Sequence, residues 1–144
     1  MVIIGSDHGG FELKEKIKDF LKELGETFED VGVFSSDSCD YPDIAKEVAI
    51  RVAENGYKGI LICGTGIGMS IAANKIDGVR CALCHDAYTA EFARRHNNAN
   101  ILAFGGRTTG IEIAKQMVSI FLKTPFDGGR HERRINKISE LEAL

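Results

Sequence analysis

Short apolar runs alternate along this chain with segments whose apolar residues recur at helical spacing, and that alternation constrains the fold more than any other feature. Residues 1–5 form an apolar run ending on glycine, and Leu13, Ile17, Phe20, Leu21 and Leu24 then recur on one helical face until Gly25 offers a stop. Residues 27–31 read as a second strand, 43–55 as a helix with Pro42 near its first turn, and 59–63 as a buried strand. The pattern over 67–75 is helical, 79–84 is a fourth strand, 87–96 a helix, 101–104 a fifth strand and 109–123 a long amphipathic helix. A last helix starts near Arg130.

Parallel strands joined through helices require right-handed crossovers, so the rhythm predicts a three-layer α/β/α sandwich. Its centre is a five-stranded parallel, Rossmann-like sheet, with one extra helix at the C-terminal end. A length of 144 residues suits a single domain spanning 1–144. A formal net charge of -3 gives no general attraction to nucleic acid or anionic membrane, so neither is expected as a partner and any basic site must be local. The first residues carry no basic leader and too few apolar residues for a signal peptide or a membrane span, and a cytoplasmic protein is expected. In a reducing compartment the four cysteines, Cys39, Cys63, Cys81 and Cys84, are packing groups, metal ligands or reactive thiols rather than a disulfide framework.

Open α/β sheets bind ligands beyond the carboxyl ends of their strands, which directs attention to the residues placed there. The first strand runs into Ser6-Asp7-His8-Gly9-Gly10, where Asp7 can cap the following helix or, with His8, face a ligand. The third runs into Cys63-Gly64-Thr65-Gly66-Ile67-Gly68, a glycine-rich turn whose amides can converge on an oxyanion and lower the pKa of a neighbouring thiol. A buried cysteine at a strand end can equally be a small apolar filler. The turn is not a dinucleotide fingerprint, because Met69 stands where its third glycine would fall, and no Lys follows as in a nucleotide phosphate loop. Cys81-Ala82-Leu83-Cys84-His85 has the spacing of a haem attachment or half a zinc site, yet there is no second ligand pair and the segment reads as an interior strand. His96 and Asn97 end the helix before the fifth strand, and Arg107 follows that strand. Arg130 and Arg134, four residues apart on one helical face, can grip one phosphate.

In combination and order these motifs resemble the type B ribose-5-phosphate isomerases, relatives of the galactose-6-phosphate and allose-6-phosphate isomerases. The resemblance covers nearly the whole chain, through residues 5–10, Asp40-Tyr41-Pro42, residues 62–68, Arg95-His96-Asn97, residues 103–107 and Gly128-Gly129-Arg130-His131. It implies an aldose–ketose isomerase acting on ribose 5-phosphate and ribulose 5-phosphate through a cis-enediolate, in the pentose phosphate pathway. Cys63 would be the base, where another branch of the family uses a glutamate at the position of Met69. Gly64, Thr65, Gly66, Ile67 and Gly68 would cradle the enediolate with help from the Thr65 hydroxyl, and His96 would be the acid that opens the furanose ring. Asp7 and His8 would hold substrate hydroxyls and help relay that proton, while Asn97, Arg107, Arg130 and Arg134 would bind substrate and its phosphate. The resemblance implies no metal and no organic cofactor. It also implies a homodimer or homotetramer with sites at the subunit interface, the His96 and Arg side coming from the neighbouring chain. A six-carbon sugar phosphate such as allose 6-phosphate is the alternative substrate, and a non-catalytic sugar-phosphate-binding module the alternative class.

Overall fold

The computed structural model describes residues 1–144. In chain order the strands are β1 (Val2–Ser6), β2 (Phe28–Asp30), β3 (Lys58–Cys63), β4 (Cys81–Leu83) and β5 (Ile101–Gly105). The helices are α1 (Phe11–Glu23), α2 (Tyr41–Asn55), α3 (Ile67–Ala73), α4 (Ala87–Arg95), α5 (Ile111–Lys123) and α6 (Arg130–Glu140). All neighbouring strands pair in parallel, in the order β2-β1-β3-β5-β4. The expected five-stranded sheet and C-terminal helix are therefore present. β2 and β4 are shorter than the expected strands 27–31 and 79–84; each is an edge strand, paired on one side only.

Successive strand residues point to opposite faces, and the core divides accordingly. Val2, Ile4, Ile60, Ile62, Leu102 and Phe104 pack against Leu13, Ile17 and Leu21 of α1 and against the buried faces of α4 and α5. Ile3, Leu61, Cys63, Ile101 and Ala103 face Ala45, Val48, Ala49 and Val52 of α2 and Met69 and Ala73 of α3. Helices on both faces explain why the central strands are continuously apolar. From β1 the chain moves outward to β2 and then returns to β3 on the other side of β1, which makes the carboxyl ends of β1 and β3 the point where the winding reverses.

One cation lies inside this architecture. Lys14, on the buried face of α1, is 0% exposed; its Nζ donates to both carboxylate oxygens of Asp30 (2.8 and 2.9 Å) and to the Val33 carbonyl. Lys18 adds a second ammonium to Asp30 at 2.9 Å, and the Gly32 N–H donates to the same carboxylate at 2.9 Å. Burial alone would push the Asp30 carboxyl up, but hydrogen bonds from Lys14, Lys18 and Gly32 together hold it below the ordinary carboxylate value. Asp30→Asn is expected to cost about 3 kcal/mol at neutral pH, because it strands a buried ammonium. A carboxyl depressed by folding adds stability above its unfolded pKa of about 4 and loses it as pH falls through the lower folded value. Urea unfolding at pH 7 and pH 3 checks this: the gap between wild type and Asp30→Asn should be wide at pH 7 and narrow in acid. A gap independent of pH would mean that the carboxylate charge is not what holds Lys14.

Candidate active site

Three loops meet at the winding reversal. Asp7 and His8 follow β1, with the Asp7 N–H donating to the Ile62 carbonyl of β3 at 3.2 Å. The Gly106 N–H, just past β5, donates to the Cys63 carbonyl at 2.7 Å, and the Arg107 N–H to the Gly64 carbonyl at 3.0 Å. The Arg107 guanidinium folds back across the turn, with Nη1 only 3.1 Å from the point where a side chain on Gly64 would begin. The small glycine at 64 leaves room for this cation beside the thiol-bearing turn. Asp7 is buried and one of its oxygens accepts the Gly10 N–H at 3.1 Å, so it caps the short turn His8–Gly10.

Cys63 is 6% exposed, at the edge where the α2/α3 core opens to the carboxyl rim. The Gly66 N–H donates to its Sγ at 3.1 Å, a contact that favours negative charge on sulfur. Thr65 is exposed beside it, its Oγ1 accepting the Ile67 N–H at 3.3 Å. Met69 is fully buried and apolar, so that position offers no proton carrier. Cys81 and Cys84 lie in and beside β4, where burial pushes their thiols up to about 12 and about 11. Those two are packing groups, and no three His, Cys, Asp or Glu side chains converge to hold a metal ion.

Two residues complete this rim that the sequence motifs left without a role. Tyr41 opens α2 and lies against the first turn of α3, its ring only 2.5 Å from where a side chain on Gly68 would begin, so any larger residue there would displace the ring. Cys39, in the segment leading to α2, donates its N–H to His8 Nδ1 at 3.3 Å. Neither contact has a signature in the local sequence, because each joins segments far apart in the chain.

The remaining expected residues lie elsewhere. Helix α4 runs back toward the amino ends of the strands, and the segment after it enters β5 from below: the Gly59 N–H, at the start of β3, donates to the Asn100 carbonyl at 2.8 Å. Gly59 and Cys63 are four strand residues apart, about 13 Å. His96 and Asn97 therefore belong to the end of the sheet opposite Cys63, where they follow α4 and precede β5 as the sequence indicates. His96 stacks on His131 of α6 (centroids 4.0 Å apart, 12° between planes) and meets Phe92 edge-on at 4.8 Å. Asp127 pairs with Arg95 at 3.2 Å and stands 4.0 Å from His96 Nε2. Arg130 and Arg134 flank His131, whose pKa is held below the usual imidazole value by desolvation, then by His96 and the two guanidiniums. The stack gives His131 a place beside His96 that its motif alone did not reveal.

The expected site residues thus fall into two groups on one chain: Asp7, His8, Cys63, residues 64–68 and Arg107 at the carboxyl rim, and His96, Asn97, Arg130 and Arg134 at the opposite pole. The sequence profile of the ribose/galactose isomerases matches residues 2–138. The chain belongs to this family. It is 46% identical over 142 residues to ribose-5-phosphate isomerase B of Escherichia coli, covering 98% of this chain and 95% of that one. It is 40% identical over 143 residues to the D-erythrulose-4-phosphate isomerase of Pectobacterium atrosepticum, covering 98% and 94%. The ribose-5-phosphate isomerase B structure from Clostridium thermocellum superposes with a TM-score of 0.97 at 49% identity, over 99% of this chain and 97% of that one. Ribose/galactose isomerases thus include relatives named for substrates of different length, so membership gives the reaction class more firmly than the sugar. No helix of the chain is long and apolar enough to cross a membrane.

Proposed function

We propose that this protein interconverts ribose 5-phosphate and ribulose 5-phosphate, with Cys63 moving the proton between C2 and C1. The observation that carries this reading is the Cys63 thiol at the winding reversal, held by the Gly66 N–H at 3.1 Å and bordered by Asp7, His8 and Arg107. From the open-chain aldose, the thiolate takes the C2 proton, the electron pair moves into a C1–C2 double bond, and the carbonyl oxygen becomes an enediolate oxygen. Amides of residues 64–68 and the Thr65 hydroxyl stabilise that oxygen. Return of the same proton to C1, with proton exchange between the two oxygens, yields the ketose. Ring opening precedes these steps: His96 protonates the ring oxygen while Asp7 takes up the anomeric hydroxyl proton, with His8 holding the substrate beside it. Asn97, Arg107, Arg130 and Arg134 bind the substrate and its phosphate.

Because one chain holds Cys63 and His96 at opposite ends of its sheet, a complete site draws on two copies, in a homodimer or a tetramer built from such dimers. Four free cysteines with no disulfide suit a cytoplasmic setting, and residues 1–144 act as one isomerase domain. An assay of the purified protein with ribose 5-phosphate, allose 6-phosphate and erythrulose 4-phosphate, with a chelator present, tests the reading. The highest kcat/KM should be on ribose 5-phosphate and should survive the chelator. A higher value on another sugar would reassign the substrate, and binding without turnover on all three would make the chain a sugar-phosphate-binding module.

Arg130 and Arg134 open α6 on one face and carry the phosphate contact in this reading. Replacing either with Ala is expected to remove one charge-assisted hydrogen bond, about 1.5–3 kcal/mol, and so raise KM roughly tenfold to a hundredfold. Arg133→Ala, on another face, should stay within about twofold. Equal loss on ribose 5-phosphate and on unphosphorylated ribose would assign the pair to the subunit interface instead.

A further inference from the structure

His8 is half-buried at the start of its short turn, and its Nδ1 is engaged from outside the motif that contains it. The Cys39 peptide N–H approaches that nitrogen at 3.3 Å, and the Cys39 thiol lies 4.0 Å from it. A peptide N–H can only donate, so Nδ1 must accept, and the neutral ring then carries its proton on Nε2. The segment that delivers this amide is fixed at both ends. On the β2 side, the Ser6 N–H donates to the Gly32 carbonyl and the Val33 N–H to the Ser6 carbonyl, each at 2.8 Å, while buried Lys14 holds the Val33 carbonyl. On the other side α2 begins with Tyr41 packed on the first turn of α3.

We infer that the Cys39 backbone amide is a positioning group that locks His8 in the Nε2–H tautomer, so that His8 offers the sugar phosphate a hydrogen-bond donor and no basic nitrogen. The consequence for substrate rests on the proposed role of His8 in binding, and the tautomer itself does not. An Nε2–H group recognises an acceptor oxygen, whether of phosphate, carbonyl or hydroxyl. It leaves proton removal to Cys63 and proton relay during ring opening to Asp7. A second-segment amide that fixes one ring nitrogen and thereby assigns the other follows the logic of histidines oriented by outer hydrogen bonds.

Nitrogen-15 NMR of the histidine rings in the intact protein, above the range where free imidazole is protonated, reads the tautomer directly. His8 should show an unprotonated Nδ1 and a protonated Nε2, and a protonated Nδ1 or an even mixture would overturn the inference. Cys39→Pro deletes the amide proton and should give a tautomer mixture, with KM for ribose 5-phosphate raised about three- to tenfold, the worth of one ordinary hydrogen bond, and kcat changed less. Cys39→Ser keeps the amide and should keep the Nε2–H tautomer; losing it there would assign the effect to the thiol and sink the proposal. Unchanged KM in a folded Cys39→Pro would also sink it, and if that variant does not fold, the wild-type and Cys39→Ser spectra decide. An unchanged KM in His8→Ala would overturn the substrate contact while leaving the spectra to judge the tautomer, so the two failures are separable.

Discussion

Cys63→Ala should lose about a thousandfold in turnover while still binding ribose 5-phosphate with near wild-type affinity. Removing a positioned proton carrier costs about 10² to 10⁴ in rate, and neither residue 69 nor the other buried thiols can take its place. Met69 is fully buried and apolar, so the position another branch of the family fills with a glutamate cannot supply the base. Cys81 and Cys84 are protonated thiols, with pKa values pushed up to about 12 and about 11 by burial. The arginines and the 64–68 turn remain in Cys63→Ala, so calorimetry should still detect substrate. Cys81→Ala and Cys84→Ala should each retain most of the activity. Wild-type turnover in Cys63→Ala would remove the thiol from the mechanism altogether, and loss of both turnover and binding would point to a collapsed turn instead.

The sheet was legible because its signal is local. Residues 2–4, 60–63 and 101–104 are apolar and buried, and a glycine directly follows each run, at Gly5, Gly64 and Gly105. Asp7, Cys63 and Arg107 were legible for the same reason, since a residue just past a buried strand has only one rim on which to stand. Lys14 was not legible. A lysine between Leu13 and Ile17 reads as the solvated flank of an amphipathic helix, and only the later arrival of Asp30 and the Val33 carbonyl makes its burial affordable. Cys39 on His8 and Tyr41 on Gly68 were hidden likewise, because the contacts span more than twenty residues of chain. The placement of His96 required the topology itself: the motif says that it ends a helix, but only the parallel course of β5 shows that this end lies at the opposite side of the sheet.

That placement leads to the second large effect. If each site joins the Cys63 rim of one chain to the His96 pole of another, two inactive proteins can repair each other. His96→Asn should be slow on cyclic ribose 5-phosphate yet nearly normal on ribulose 5-phosphate, which cannot close to a furanose, and Cys63→Ala should be inactive on both. In a two-fold symmetric dimer of one subunit of each kind, one site carries both lesions and the other carries neither. Random exchange at equal amounts makes about half of the dimers mixed, and half of their sites intact, so activity on ribose 5-phosphate should rise from near zero to about a quarter of wild type. The two variants, unfolded together in urea and refolded by dilution, are compared with each refolded alone. The recovered activity should vary with the mixing ratio and peak at equal amounts. Its absence, in mixtures shown by mass spectrometry of intact oligomers to contain mixed dimers, would place Cys63 and His96 in one chain's site or remove His96 from the reaction. The topology argues against the first, since α4 and the segment after it deliver His96 to the start of β5, about four strand residues below the thiol.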